Sequence, residues 1–484
     1  MRLLNLIITF LLLTICSFGQ QAFYKVFSGL GYDVGKGIVE LSDSSYVVCG
    51  SSTSWEGSSQ AFLMKVDSIG TREWTSHYGG PESDGATRIL YKENVGLFTV
   101  GFTNSIGAAG DYNGLVMHMD VNGTLIWEQK IGSDNAWEFI HDAVFVEDSS
   151  ILCVGESQNL EDGDKDIFIA RISKDGQLIW SLKYANPGVD YATSITNIED
   201  SLFVVGGTFY CADSLTQKGF VMKINNQGSI LWRDTLGNYS GKYVIEDVSI
   251  AVDKINAVGA REVDVDNHDS YLLKLNFEGD VLFEQTENDP NGESDVIMDE
   301  IAFIPSVNKN IIGFKVINAF SFQDDYDANI GFFNENSFLW MNNFTSINYL
   351  GLDEVNQLVP TSDGAFVGVG QTTYPISGGS NVFILKYSLE DGFPNTAEYY
   401  TIDTLVGVDS NLETQTFDVF PNPCDQSILI DFHKSWTRVK ILNGVGKVIS
   451  DKELSLSVPM DVSWLKSGIY YLQIENQTRK IIKL

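Results

Sequence analysis

Residues Lys65 to Trp74 read KVDSIGTREW. The phrase returns as HMDVNGTLIW ending at Trp127, as RISKDGQLIW ending at Trp180 and as KINNQGSILW ending at Trp232. Each copy joins two short apolar runs across a tight turn. Asp or Asn begins that turn, because its short side chain bonds the backbone just downstream. Glycine ends it, at Gly70, Gly123, Gly176, Gly228 and Gly279, where the chain needs a positive φ that other residues adopt only with strain. The pattern predicts a β-hairpin. It puts the aromatic residue, four positions on, at the start of an outer strand, where a large ring fills the wedge between neighbouring units.

The aromatic mark falls at Trp74, Trp127, Trp180, Trp232, Phe283 and Trp340, in steps of 53, 53, 52, 51 and 57 residues. An apolar run ending in glycine keeps the same time, at Gly50, Gly101, Gly155, Gly206, Gly259, Gly313 and Gly370. A period near 50 residues means a propeller or another repeat array. The first unit divides into GIVEL (37–41), YVVCG (46–50), AFLMKVD (61–67) and REWTSHY (72–78). These are short β-branched and aromatic runs between turn residues, hence strands. The last unit, through NVFILKYSLEDGF, lacks its fourth strand, while FYKVFSG (23–29) is an orphan matching WTSHYGG (74–80). An N-terminal strand that completes the last sheet would close a ring and leave fewer open edges. The expected fold class is all-β: a seven-bladed β-propeller, or six or eight blades if the degenerate copies at Asn336 and Lys386–Gly392 are miscounted, followed by a small Ig-like β-sandwich.

The chain has 484 residues, 44% hydrophobic and 12% aromatic, with 44 Gly and 10 Pro, so it can bury a core and turns often. MRLLNLIITFLLLTICSFGQQ opens it with one charge, Arg2, and a short apolar run. This is the pattern of a secretory signal peptide over residues 1–20, cut near residues 18 to 20, and the run is too short for a membrane span. Cys49, Cys153, Cys211 and Cys424 remain beyond it. Cys49 and Cys153 lie in apolar runs and read as small core residues, not as a disulfide staple. From Phe417 onward there are 9 basic and 7 acidic residues, net +2, which leaves 22 basic and 57 acidic residues, net −35, in the body. So acidic a body argues against nucleic acid or anionic membrane as partner. It suits a secreted protein or one that holds cations.

Residues 397–416 are polar and read as a linker between a propeller at 21–396 and a C-terminal module at 417–484. That module carries Pro421-Asn422-Pro423, Gly446-Lys447, Asp461-Val462-Ser463 then Leu465, Gly468-Ile469-Tyr470, and a basic-apolar end from Lys480 to Leu484. In order and spacing these elements resemble the C-terminal sorting domain (type A) of proteins exported by the type IX secretion system of Bacteroidetes-type bacteria. The resemblance covers about one seventh of the chain. It implies export across both membranes, recognition by the type IX machinery and its sortase, and a final place outside the cell, released or held at its surface. The repeats are also similar to those of secreted bacterial propellers. They share a turn with pyrroloquinoline-quinone enzymes, but not the adjacent Cys pair that often lies near that cofactor.

No metal-ligand spacing joins the five histidines, and no nucleophile elbow, zincin helix or phosphate loop is present. No cofactor is predicted. Asp162, Asp164 and Asp166 are spaced like the start of a calcium loop but lack its Gly and closing Glu. Asp264, Asp266 and Asp269, and Asp324, Asp325 and Asp327, occupy the same connection in later units. Solvated acidic hairpins are the first reading of all three, with a divalent cation such as calcium, or a basic partner, as the functional alternative. An acid before each inner strand, at Asp33, Asp84, Asp142, Asp190 and Asp247, reads as a turn-bonding carboxylate, with a ring at the channel mouth as the functional alternative. The sequence points to a binding module for an extracellular glycan or protein. A glycan-active hydrolase or lyase with channel-mouth carboxylates and a structural envelope component are the other classes.

Overall fold

A computed structural model describes residues 22–29, 31–55, 58–105, 111–133, 135–184, 188–211, 216–236, 241–264, 267–287, 294–305, 309–318, 326–333, 338–343, 353–373, 379–387, 398–401, 417–420, 426–432, 436–443, 447–455, 460–466, 468–474 and 477–483. Every regular element in them is a β-strand. The leader at 1–20, Asn336, Asp266, Asp324, Asp325, Pro421, Asn422, Pro423, Cys424 and Gly446 lie outside the described residues.

Among the described residues, the strands of the larger unit fall into seven antiparallel sheets. The first runs Asp33–Glu40, Tyr46–Ser52, Gln60–Val66 and Arg72–Tyr78, so the expected strands are present with ends moved by a few residues. Five more sheets repeat this order. In the seventh, Asp353–Pro360, Phe366–Thr372 and Asn381–Tyr387 are joined by Phe23–Ser28. Phe23 pairs with Lys386 and Phe27 with Val382. The orphan strand therefore completes the last sheet, as its match to WTSHYGG predicts. Each innermost strand packs beside that of the next sheet, and Asp353–Pro360 lies beside Asp33–Glu40. The sheets thus form a closed ring about an axis, a β-propeller.

Third strands such as Asn113–Met119 and Asn381–Tyr387 are buried at every position, because both of their faces meet a neighbouring sheet. This is why they read as unbroken apolar runs and not as alternation. The cores lie between consecutive sheets: Cys49, Leu63, Ile89 and Met117 close the first gap, and Phe98, Ile140, Cys153 and Phe168 the second. Burial pushes the Cys49 thiol up to about 12 and the Cys153 thiol higher still, so both are unreactive core residues.

The repeated phrase is the hairpin between third and fourth strands. Asp67 accepts from the backbone N–H of Ile69 (3.0 Å) and Thr71 (2.7 Å), and Gly70 closes the turn onto the Asp67 carbonyl. Asp120, Asn225 and Asn276 repeat this geometry, while Ser173 opens the third copy through Gln177 N–H. The glycines take φ from +80° to +98°. They have a second reason to lack a side chain. A Cβ on Gly123 would sit 2.8 Å from the Trp74 ring of the preceding sheet. Trp127 covers Gly176 in the same way, Trp180 covers Gly228 and Trp232 covers Gly279. Phe23 covers Gly70, which continues the series through the closing strand. The aromatic mark of one sheet is thus seated on the glycine mark of the next.

In the smaller unit, one sheet holds Phe417–Phe420, Ser427–Phe432 and Met460–Asp461, and another holds Trp436–Asn443, Val448–Ser455, Gly468–Ile474 and Gln477–Lys483. They share a core of Ile428, Val439, Ile441, Met460, Val462, Leu465, Leu472 and Ile481. Glu398–Thr401, within the expected linker, is a short strand.

Gly163 also has φ near +79°, but nothing lies within 4 Å of where its Cβ would be. Gly163→Ala is therefore expected to lose only the backbone preference, about 1 kcal/mol. Gly123→Ala adds a collision with Trp74 and is expected to lose about 2–4 kcal/mol in urea unfolding. Equal losses would mean that the tryptophan seat contributes nothing.

Candidate functional site

Glycines inside the second strands let two backbones approach closely. A Cβ on Gly50 would overlap the Val34 carbonyl oxygen, one on Gly101 that of Gly85, one on Gly155 that of Phe139 and one on Gly370 that of Glu354. In the fourth sheet Gly207, not Gly206, has this role, against Tyr191. Where the backbones close in, each inner strand slips by one residue. The slips fall between Gly35 and Gly37, Ala86 and Arg88, Ile140 and Asp142, Ala192 and Ser194, Ile245 and Asp247, Met298 and Glu300, and Val355 and Gln357. A β-bulge re-aims the residue it leaves unpaired. Here those residues are Lys36, Thr87, His141, Thr193, Glu246, Asp299 and Asn356. All seven line one cavity of about 470 Å³, together with Arg88, Phe102, Phe139, Glu300, Glu354 and Val355.

In three sheets the residue after the bulge reaches the backbone of the next sheet. Asp142 accepts from Ile195 N–H at 2.8 Å, Asp247 from Ile301 N–H at 2.9 Å, and Gln357 from Ile38 N–H at 2.6 Å, each reaching into the next sheet. Thr87 and Thr193 donate to the carbonyls of Ile140 and Ile245, both at 2.7 Å. Asn356 donates to Gly35 and accepts from the Lys36 ammonium. Arg88 bonds Asp142 at 2.8 Å and stands 3.6 Å from Glu300. Burial opposes its charge, yet Asp142, Glu300 and Asp247 together hold the guanidinium protonated. Burial, then Asp247, pushes the Glu300 carboxyl well above the usual carboxylate range. Burial also lifts Asp247 to about 6, against the pull of Arg88 and Ser194. Burial lowers His141, which favours its neutral form.

The five acids read as one series divide into two. Asp33 accepts from Gly29 N–H and the hydroxyls of Ser52 and Ser54, Asp84 from Gly80 N–H, Thr103 and Ser105, and Asp190 from Tyr210 N–H. These are the turn-bonding carboxylates expected. Asp142 and Asp247 do not precede their strands. They follow the bulge, while Glu138 takes the turn position in the third sheet and bonds Ser133 and Ser157. The bulge residues were not among the candidates, but each stands 13 or 14 residues before its strand glycine. The glycine mark, read as a register and not as a strand end, points to them.

The hairpin of Asp162, Asp164 and Asp166 lies at the same end of its sheet as the start of the inner strand, since the second strand ends opposite that start. Asp162 bonds Asp164 N–H at 3.1 Å, Asp164 bonds Gly188 N–H at 2.8 Å, and Asp166 pairs with Ser157. Asp269 is buried beside Arg261, and Asp264 and Asp327 fall in strands. Among the described residues no three His, Cys, Asp or Glu side chains are grouped to hold a metal ion. In the smaller unit, Lys447 is exposed before its strand. Asp461 bonds Ser463 N–H, and that bond with the Ser463 side chain lowers its carboxyl. Leu465 is buried in the core, and Tyr470 donates to the Lys466 carbonyl from the strand that Gly468 and Ile469 begin. Lys480 lies in the final strand. Trp340 lies in its sheet's outer strand, opposite Gly331.

Residues 418–484 match the family described as secretion system C-terminal sorting domain, the segment that the sequence assigns to type IX export. The protein carries that sorting signal and is exported to the cell surface or beyond, through the type IX machinery. Curated proteins give no match. Among solved structures, the chain is similar to the Neurospora crassa Pan2 WD40 domain, with a TM-score of 0.43, 12% identity, and coverage of 75% of this chain and 91% of that one. It is similar to the Pseudomonas aeruginosa periplasmic gluconolactonase PpgL, with a TM-score of 0.36, 11% identity and coverage of 79% and 98%. A Pyrococcus horikoshii acylaminoacyl peptidase gives a TM-score of 0.39 and 9% identity, over 73% of this chain and 50% of that one.

Two outcomes are expected. Deleting residues 418–484 should leave the protein inside the outer membrane in fractionated cells, and undiminished display would overturn the export assignment. The second concerns Asp247, whose ordinary value of 3.8 rises to about 6 on folding. The unfolded carboxyl ionises first, so raising the pH through that interval favours the unfolded chain. Measured against Asp247→Asn, wild type should lose on the order of 2–3 kcal/mol between pH 4 and pH 7. A constant difference would show that the buried carboxyl titrates normally.

Proposed function

We propose that this exported propeller is an extracellular binding protein whose ligand, a glycan, enters the axial cavity. The observation that carries the reading is the convergence of one bulge residue from every sheet on a single cavity of about 470 Å³. That volume lies in the range of small-ligand sites. Its wall combines the aromatic rings of Phe102 and Phe139 with carboxylates and hydroxyls, the mixture that saccharides demand. Export to the cell exterior places the site where glycans are met. A second reading, glycan hydrolysis, draws on Glu300, whose raised carboxyl is suited to a general acid among the other carboxylates of the wall.

The test pairs thermal shift with reducing-sugar release, on the exported chain and one panel of polysaccharides. Binding at a hundredfold excess over Kd stabilises the folded state by about 2.7 kcal/mol, so a rise in Tm of several degrees without sugar release is expected. Sugar release would replace the binding reading with the hydrolytic one. Silence in both assays would overturn the assignment of a glycan.

A further inference from the structure

The cavity wall continues outward along one gap between sheets. Phe102, in the second strand of the second sheet, and Phe139, in the inner strand of the third, line the cavity with ring centroids 5.5 Å apart. Tyr112, just before the strand Asn113–Met119, stacks on Phe139 at 5.3 Å with planes 30° apart and lies 5.9 Å from Phe102. Trp137 meets Tyr112 edge-on at 5.5 Å. Tyr112 and Trp137 lie beyond the cavity lining. All four side chains are half-buried, so each keeps part of its surface in solvent.

The fold does not require rings at these places. A backbone bond between neighbouring sheets recurs at this end of the ring: Asp33 N–H donates to the Ser380 carbonyl (2.9 Å), Asp84 to Ser59 (2.8 Å), Glu138 to Tyr112 (3.0 Å) and Asp190 to Lys165 (2.8 Å). That bond uses no side chain, and where the second sheet has Tyr112 its counterparts are two serines and a lysine. Phe102 follows the strand glycine Gly101, and the residues that follow the corresponding glycines are Ser51, Glu156, Thr208, Ala260 and Gln371. The second sheet also makes room for the Phe102 ring with Gly85, where a Cβ would lie 2.7 Å from it. A partly exposed aromatic group that is not part of the repeat, and that runs out of a ligand-sized cavity, has the character of a binding surface.

Charge narrows what can lie there. Before Phe417 the chain has 22 basic against 57 acidic residues, a field that repels a polyuronate or a sulfated chain. The wall itself mixes donors with acceptors, and its charged groups are engaged within the protein: Glu354 accepts from Gln371, Arg88 bonds Asp142, and Lys36 bonds Asn356. Hydroxyls, which both donate and accept, suit such a wall. The rings in turn suit flat C–H faces. Pyranoses with equatorial hydroxyls present such faces, and β-1,4 links hold them in an extended chain.

We propose that the ligand is a neutral, linear β-1,4-linked glycan longer than the cavity, whose chain leaves between the second and third sheets over Tyr112 and Trp137. The proposal rests on the reading that the axial cavity binds a glycan, and adds its charge class, its length and its exit. A ligand confined to the cavity meets Phe102 and Phe139 alone, whereas a chain of several sugars also covers the two outer rings. Trp137 is then the residue that sets the preference for length.

The experiment is isothermal titration of the exported chain with the dimer, tetramer and hexamer of β-1,4-glucose and of β-1,4-N-acetylglucosamine, and with hexagalacturonate. In at least one neutral series the hexamer should bind about tenfold or more tightly than the dimer, and hexagalacturonate should bind more weakly than either neutral hexamer. Trp137→Ala should bring the hexamer down to the affinity of the wild-type dimer. If that variant does not fold, Tyr112→Ala provides the same readout. Equal affinity at every length would overturn the aromatic exit and leave glycan binding standing, as would a length gain that survives the substitution. Tighter binding of hexagalacturonate would overturn the neutral class. Silence from every probe would overturn both this proposal and the glycan reading beneath it.

Discussion

The close approach of two backbones at a glycine is the contact on which the rest depends. At Gly50, Gly101, Gly155 and their counterparts the neighbouring carbonyl occupies the space of a Cβ. That approach accompanies the slip in every sheet but the sixth, the slip turns one residue per sheet toward the axis, and those residues line the cavity. In three sheets the position after the slip, Asp142, Asp247 or Gln357, sends its side chain across to the next sheet's backbone. Fold and site therefore have one cause. The sixth sheet, where Phe314 stands opposite Met298, keeps its slip and its cavity residue Asp299 without that glycine, so the slip itself carries the site.

The periphery has a parallel device. The turn glycine supplies a left-handed φ, and the same missing side chain receives the aromatic ring of the sheet before it. Tyr78 and Tyr184 reinforce the seat by donating to the carbonyls of Gly123 and Gly228. Two glycine marks, one at the axis and one at the rim, hold each sheet to its neighbour at opposite ends of the wedge.

Much of this was legible in the sequence because it rests on local chemistry repeated many times. The hairpin phrase predicts the turn atom by atom, and the mismatch between the orphan FYKVFSG and the incomplete last unit predicts the closing strand. The site was harder to see. Asp142 and Asp247 resemble Asp33 and Asp84 in spacing, and only strand register shows that they lie beyond a bulge while Glu138 holds the turn. The bulge residues Lys36, Thr87, His141, Thr193, Glu246, Asp299 and Asn356 share a position but no chemical type. Architecture repeats by residue identity, whereas a ligand site on a ring repeats by location alone.

The seam of the ring joins Phe23 to Lys386 across 363 residues of chain. At synthesis rates of 5–20 residues per second, the first strand waits roughly 20 to 70 s before its partner exists. During that interval the N-terminal strand has no edge to join, and the ring cannot lock. The circle is completed by the two parts of the propeller that leave the ribosome furthest apart.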